Sequence, residues 1–200
     1  MPDKYLNFAA LERNERRNID FCVRSRDLGS RIAVIAPHGG KIEPGTSEVA
    51  IAIAGANLSF YAFEGRKPMG NRVLHITSTR FDEPTCLALI ATAERVIAIH
   101  GEKSEDEVVF LGGLDKVGRT RMRNVIRREG FCVKTHTRRS LQGIGISNIC
   151  NRGNAQTGIQ VELSNGLRRS FFRSLSANGR NEHKPKLREF ASAVREALGY

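Results

Sequence analysis

The chain has 200 residues, of which 40% are hydrophobic, enough for one domain to bury a core of its own. Its 32 Lys and Arg against 21 Asp and Glu give a formal net charge of +11 at pH 7, so anionic partners are favoured. The apolar runs are too short for a membrane span and the first residues lack the apolar core of a secretory signal, so we expect a cytoplasmic protein with no membrane partner.

Strands that alternate with helices are predicted along the chain. A β-branched run at 31–37 predicts a buried strand that stops at His38, and a helix capped by Thr46 or Ser47 follows. A similar run at 95–101 predicts a second buried strand, which also ends in His-Gly. The other predicted elements are strands at 57–63, 74–78, 108–113 and 159–164, helices at 84–94 and 116–128, a short segment at 131–135, a loop at 143–158 and an amphipathic helix at about 186–198.

This alternation predicts an α/β fold, a single domain with a mixed, mostly parallel sheet that is covered by helices on both faces. Sites in such sheets form where the strands reach their carboxyl ends. His38 and His100 each stand at such an end, just before a glycine. The sequence therefore directs the search for function to these two strand ends.

His38, Glu43 and His100 form a candidate set of metal ligands. Two glycines between His38 and Glu43 permit the sharp backbone path that lets the imidazole and the carboxylate face one point. Two histidines and one carboxylate, with a fourth position left for water, are the ligands of a catalytic zinc ion, whereas a structural zinc site is closed by four protein ligands. Taken alone, the His-x4-Glu spacing also fits a loop histidine that makes only polar contacts.

Glu162 lies in an otherwise apolar strand, where a carboxylate is costly unless it faces a cleft, an ion or a partner. Facing a metal ion, it would act as a general base that takes a proton from water and later delivers it to the leaving amine. The alternative is plain exposure on a solvated strand face.

Seven blocks of the sequence, in order, resemble a known family. They are APHGGKIEPGTSE at 36–48, YAFEG at 61–65, LHITS at 74–78 with FDEP at 81–84, IHG at 99–101, LGG at 111–113, NICNR at 148–152 and GIQVELS at 158–164. The chain resembles the poly-γ-glutamate hydrolases found in phages of bacilli and as related bacterial proteins, whose fold is similar to that of the zinc carboxypeptidases. The resemblance covers most of the chain.

The resemblance implies a zinc cofactor held by His38, Glu43 and His100, with Glu162 as the catalytic carboxylate, in agreement with the roles argued above. It implies one catalytic domain over 1–200 that ends in the helix at about 186–198. The implied substrate is a glutamate polymer joined through side-chain carboxyls, a polyanion that suits a protein of net charge +11. A phage-derived member would leave the cytoplasm on lysis of the cell.

Arginine is the residue expected to bind the free α-carboxylates, because its planar guanidinium group binds a carboxylate with two hydrogen bonds. Arg152, paired with Asn151, is the first candidate for substrate binding, because zinc carboxypeptidases use an Asn-Arg pair for a carboxylate. In those enzymes the pair precedes the third metal ligand, whereas here it follows His100. Weaker candidates are Arg80, Arg168 and Arg169.

Three alternatives stay open at this stage. The same metal core also suits a hydrolase of N-acyl amino acids or other acidic peptides. The arginine-rich stretch at 118–139 suits a nucleic-acid-binding protein, although the aromatic residues that stack on bases are nearly absent there. His75, on the predicted strand at 74–78, either supports a metal ligand or is a polar residue on the far face of the sheet.

Overall fold

A seven-stranded sheet forms the centre of the protein in the computed structural model, which describes residues 2–200. Its strands are β1 (Phe21–Arg26), β2 (Ile32–Gly40), β3 (Ser59–Gly65), β4 (Arg95–Gly101), β5 (Val108–Gly112), β6 (Cys132–Lys134) and β7 (Ile159–Leu163). They lie side by side in the order β1-β3-β2-β4-β7-β5-β6. The four central strands, β3, β2, β4 and β7, are parallel, so their carboxyl ends share one edge.

Six α-helices are described in the same residues. They are α1 (Phe8–Glu12), α2 (Thr46–Ala54), α3 (Pro84–Thr92), α4 (Lys116–Arg128), α5 (Asn165–Phe171) and α6 (Pro185–Leu198). Among residues 2–200, no helix has the length and apolar character that a membrane crossing requires.

Helices cover both faces of the sheet. Successive side chains of each strand point to opposite faces, so they alternate between two cores. Val34 and Ala36 of β2 pack in one core with residues of α2, α4, α5 and α6, whereas Ala33 and Ile35 pack in the other with residues of α1 and α3. All nine residues of β2 are buried, as expected of a strand covered on both faces. The predicted fold class is therefore confirmed.

Two local predictions were wrong. Residues 74–78 do not form a strand: a 3-10 turn at Asn71–Leu74 precedes them, and the Thr77 N–H donates to the carboxylate of Asp3 (2.7 Å) and not to a neighbouring strand. The N-cap of α2 is Gly45 and not Thr46 or Ser47. The φ of Gly45 is 98°, in the left-handed region that favours glycine. α1, β1 and α5 were not predicted.

Candidate metal and catalytic site

His38 lies on β2 at an irregularity in the sheet. Between Ala36 and Gly39, β2 holds one residue more than the facing stretch of β3, which is a β-bulge. Pro37 lies within the bulge, where its missing N–H costs no ladder hydrogen bond. Such a bulge changes the direction of side chains, and here His38 is buried at the carboxyl edge of the sheet.

The turn after β2 brings Glu43 back to His38. The Glu43 N–H donates to the His38 carbonyl (2.9 Å), which closes the turn. Gly39 and Gly40 make this turn possible: a Cβ on Gly39 would lie 2.0 Å from Ser47 Oγ, and Gly40 has a φ of +64°. The local sequence thus fixes a carboxylate beside an imidazole.

His100 and Glu162 face each other across neighbouring parallel strands. His100 near the end of β4 pairs in register with Glu162 near the end of β7. The Gly101 N–H donates to Glu43 Oε2 (2.8 Å), which ties the turn after β2 to the end of β4. Three separate segments therefore deliver their polar side chains to one point.

The donor atoms of His38, Glu43 and His100 are spaced as the ligands of one ion. The two Nδ1 atoms of His38 and His100 are 3.2 Å apart, His38 Nδ1 is 3.4 Å from Glu43 Oε1, and His100 Nδ1 is 3.7 Å from Glu43 Oε2. A tetrahedral ion that binds its ligands at about 2.1 Å holds them about 3.4 Å apart. The spacing fits such an ion.

The proton positions also suit a cation. His38 Nε2 lies 2.8 Å from the Ile76 carbonyl oxygen, which only accepts, so Nε2 carries a proton and the lone pair available to an ion is on Nδ1. That lone pair faces His100 Nδ1 and the carboxylate of Glu43. Burial raises the pKa of Glu43, but His38 and His100 outweigh this effect and hold that pKa well below its usual range. The side chains therefore present a nitrogen lone pair and a negatively charged carboxylate to the same point.

His75 competes with His100 as the third ligand. One ligand atom each of His38, Glu43 and His75 lies within 4.8 Å of the other two, whereas His38 and His100 approach different oxygens of Glu43. The rings of His75 and His38 stack with centroids 4.0 Å apart. His75 Nδ1 donates to Asp3 (2.7 Å), so the lone pair of the neutral ring is on Nε2. Burial, together with His38, lowers the pKa of His75 to about 3, which keeps the ring neutral at pH 7.

Glu162 is buried beside this group of ligands. Its Oε1 accepts a hydrogen bond from Gln160 Nε2 (2.9 Å), and within residues 2–200 no group donates to its Oε2. Burial, together with the negative charges of Glu43 and Glu102, raises the pKa of Glu162 well above its usual range. Two neighbouring carboxyl groups with pKa values pushed in opposite directions are the arrangement that separates a ligand or base from a proton donor.

All five residues discussed above line a single cavity of about 610 Å³. Its wall includes His38, Glu43, His75, His100 and Glu162. Ligand pockets of proteins ordinarily have volumes of about 300–1,000 Å³, so this cavity has the size of a ligand site. The arrangement of a metal-ligand set, a carboxyl group with a raised pKa and an open cavity suits hydrolysis of an amide or ester.

Comparison with known proteins decides the family. The family model described as poly-gamma-glutamate hydrolase matches residues 5–194. This chain belongs to the poly-gamma-glutamate hydrolase family. The predicted family is thereby confirmed, and with it the predicted class of protein, a hydrolase.

Individual known proteins are similar to most of this chain. UPF0714 protein YndL of Bacillus subtilis (strain 168) is 40% identical over 179 residues, which are 89% of this chain and 70% of YndL. A solved structure of a bacteriophage poly-gamma-glutamate hydrolase has a TM-score of 0.94 at 30% identity and covers 99% of this chain and 97% of that chain. A solved zinc-free apo form of YndL has a TM-score of 0.94 at 37% identity and covers 99% of this chain and 98% of that chain.

The structure does not bring the predicted substrate-binding pair to the cavity wall. Asn151 is buried, with Nδ2 donating to the carbonyls of Gly143 (2.7 Å) and Gly145 (2.9 Å) and with Oδ1 accepting from two backbone N–H groups. Arg152 donates to the Phe81 carbonyl (3.0 Å) and is absent from the cavity lining. The role of Asn151 and Arg152 in this family member stays a prediction from sequence, and no contact described here supports it.

Sequence reasoning missed or undervalued three side chains that shape the site. Asp3 holds His75 from 72 residues away, and no local pattern signals this pairing. Gln160 bonds to Glu162 from two positions earlier on β7, and the period of two along a strand would have placed both on one face. Arg168 lines the cavity, whereas the sequence ranked it below Arg152.

Three exposed arginines of the basic helix α4 make contacts within the protein. Arg128 pairs with Glu196 (2.6 Å), Arg121 donates to the Glu196 carbonyl (3.3 Å) and Arg127 donates to the Val133 carbonyl (2.7 Å). These contacts fasten α4 to α6 and β6. They give the nucleic-acid alternative no support.

Proposed function

We propose that this chain is a zinc-dependent hydrolase of γ-glutamyl amide bonds in poly-γ-glutamate or a related acidic polymer. The observation that carries the proposal is the spacing of 3.2–3.7 Å between the donor atoms of His38, Glu43 and His100, which suits a tetrahedral ion. Two imidazoles and one carboxylate favour zinc over the oxygen-binding cations magnesium and calcium. The substrate follows from membership of the family and from the match to the phage enzyme.

In this proposal His38, Glu43 and His100 are the residues that would hold the ion. When bound there, zinc would supply Lewis-acid chemistry: it would polarise the scissile carbonyl and make water more acidic. Hydrogen bonds orient two of these side chains: His38 Nε2 donates to the Ile76 carbonyl, and Glu43 Oε2 accepts from the Gly101 N–H. Such support fixes the direction of each ligand.

Glu162 moves the proton. Its Oε2 has no donor within residues 2–200, so this oxygen is free to accept a proton from the attacking water. Gln160 holds the other oxygen and thereby the orientation of the carboxyl group. The raised pKa of Glu162 allows it to keep the proton until the leaving nitrogen takes it.

The test is cleavage of high-mass poly-γ-glutamate, followed by size-exclusion chromatography. The zinc-loaded protein is expected to shorten the polymer, a chelator to stop the reaction and added zinc to restore it. Poly-α-glutamate, which has the same charge but a different linkage, is expected to stay intact. Cleavage of α-linked peptides or N-acyl amino acids in place of the polymer would reject this substrate.

Glu162→Gln tests the assigned base. We expect kcat to fall by about 10²–10⁴-fold, since the proton acceptor is lost, while the zinc content measured by mass spectrometry stays the same. Glu105→Gln, at an exposed position, serves as the matched control and should retain full activity. Unchanged turnover by the Glu162 variant would remove Glu162 from the mechanism.

A further inference from the structure

Arg168 is a buried cation at the edge of the cavity. It lies on α5, directly after β7, and only 5% of the residue is exposed. Each of its three nitrogens donates to a backbone carbonyl: Nε to Leu163 (3.2 Å), Nη1 to Pro44 (2.7 Å) and Nη2 to Glu102 (2.9 Å). These bonds join the turn that carries Glu43 to the ends of β4 and β7.

Close packing places the guanidinium group beside the ligand set. A Cβ built on Gly101 would lie 2.8 Å from Arg168 Cζ and 3.0 Å from the Glu43 Cβ. Gly101 follows His100 directly, so Arg168 and Glu43 both pack against the end of β4. Arg168 thus reaches the neighbourhood of the proposed reaction centre and is not a distant rim residue.

The hydrogen bonds of Arg168 leave part of its donor capacity unused. A guanidinium group has five N–H bonds, and three are engaged with carbonyls, so one N–H on each terminal nitrogen has no acceptor within residues 2–200. Its three side-chain hydrogen bonds all go to backbone carbonyls and none goes to a carboxylate, although buried charges are ordinarily paired. Burial lowers the pKa of Arg168, and the negative charges of Glu43, Glu162, Glu102 and Glu105 oppose this effect only in part.

The other cations of the cavity wall do not offer such a site. Arg72, Lys103 and Arg138 line the same cavity, but all three are exposed to solvent. An exposed cation binds an anion weakly, because water screens the charge and the side chain loses conformational freedom on binding. Arg168 is already held in one orientation by three carbonyls, so it loses little freedom when it binds.

We propose that Arg168 binds the free α-carboxylate of a glutamate unit next to the scissile γ-amide bond, through one N–H of each terminal nitrogen. This proposal rests on the proposed function, because it specifies which group of the substrate the same cavity recognises. A γ-linked chain keeps one α-carboxylate on every unit, at a fixed distance from the amide bond. Binding that carboxylate would align the scissile carbonyl with His38, His100 and Glu162.

The experiment compares a γ-linked glutamate trimer with three versions in which a single α-carboxylate is replaced by a primary amide. The amide has nearly the same size but no charge. Binding is measured by calorimetry on the metal-free protein, and kcat/KM is measured on the zinc-loaded protein. Wild type, Arg168→Lys and Arg168→Gln are compared, with Arg169→Gln as the exposed neighbouring control.

We expect the wild type to prefer the full acid to one of the amide versions by about 10- to 100-fold in affinity. Arg168→Gln should abolish this preference, Arg168→Lys should leave a weaker one because it retains the charge, and Arg169→Gln should leave it intact. A merely structural Arg168 would weaken binding of acid and amide alike, which overturns the proposal. A wild type without any preference overturns it as well, and that result needs no folded variant.

Two further outcomes separate this proposal from the others. A preference that vanishes in Arg152→Gln but persists in the Arg168 variants overturns the proposal in favour of the pair predicted from sequence. A zinc-loaded wild type that cleaves neither trimer nor polymer contradicts the proposed function, whereas binding to the metal-free protein still decides the role of Arg168.

Discussion

At the scale of single residues, Glu15 shows how a buried carboxylate can hold two segments together. Tyr5 Oη donates to Glu15 Oε1 (2.6 Å), and Lys67 forms an ion pair with Glu15 Oε2. Burial raises the pKa of Glu15, but the hydrogen bonds from Lys67 and Tyr5 outweigh it, so the pKa lies below its usual value. The N-terminal segment is thereby fixed to the loop after β3.

We predict that Glu15→Gln lowers the free energy of unfolding at pH 7 by about 1–3 kcal/mol. Because the pKa of Glu15 is lower in the folded state than in the unfolded state, its contribution is present above the unfolded value of about 4.3 and is lost as the pH falls through the folded value. The difference between wild type and variant should therefore be constant from pH 7 to 5 and shrink at lower pH. Urea unfolding at several pH values measures it.

The control for this prediction is Glu12→Gln, at an exposed position that approaches Arg17 only to 4.0 Å. It should change the unfolding free energy little at any pH, as expected for an exposed pair. A difference between wild type and the Glu15 variant that grows as the pH falls would contradict the account.

Some site residues were predictable from sequence because each stands near the end of an apolar strand. His38, His100 and Glu162 have this position, and the structure brings them to one cavity. Arg168 was ranked below Arg152, because its bond to the Pro44 carbonyl spans 124 residues and no local pattern encodes it. Arg152 was ranked first because of an adjacent asparagine, but adjacency in sequence does not decide which way a side chain faces.

At the scale of elements, the end of β2 depends on glycine. Gly40 has a φ of +64°, and a Cβ there would lie 2.6 Å from the Gly65 carbonyl oxygen of β3. Both the backbone angle and the close contact therefore select glycine. The turn that carries Glu43 begins at this residue.

We predict that Gly40→Ala destabilises the protein by clearly more than the 1–2 kcal/mol that left-handed backbone costs a non-glycine residue. Gly29→Ala is the matched control, because Gly29 has a φ of +60° and no atom within 4 Å of the added Cβ. The control should lose only the backbone part, about 1–2 kcal/mol. Equal unfolding free energies of the two variants in urea would show that the contact with β3 has no energetic weight.

The elements with a strong hydrophobic period were predicted well. The predicted helices at 116–128 and 186–198 correspond to α4 (Lys116–Arg128) and α6 (Pro185–Leu198). The predicted strand at 74–78 failed although its residues have strand propensity, because Asp3, distant in sequence, takes the place of a neighbouring strand. Contacts with residues distant in sequence therefore determine the conformation of residues 74–78, and the local sequence pattern does not reveal such contacts.

At the scale of the whole molecule, parallel pairing of the central strands creates the site. β2, β4 and β7 are neighbours in the sheet although they are far apart in sequence, so His38, His100 and Glu162 reach a common edge. The net charge of +11 favours an anionic partner but does not choose between polyglutamate and nucleic acid. Membership of the poly-gamma-glutamate hydrolase family favours polyglutamate.

The most direct test of the central claim is anomalous diffraction at the zinc absorption edge, on crystals of the zinc-loaded protein. The account predicts one strong peak, about 2.0–2.2 Å from Nδ1 of His38, Nδ1 of His100 and the carboxylate of Glu43. A peak bound to His75 in place of His100, or peaks only at surface residues, would contradict it.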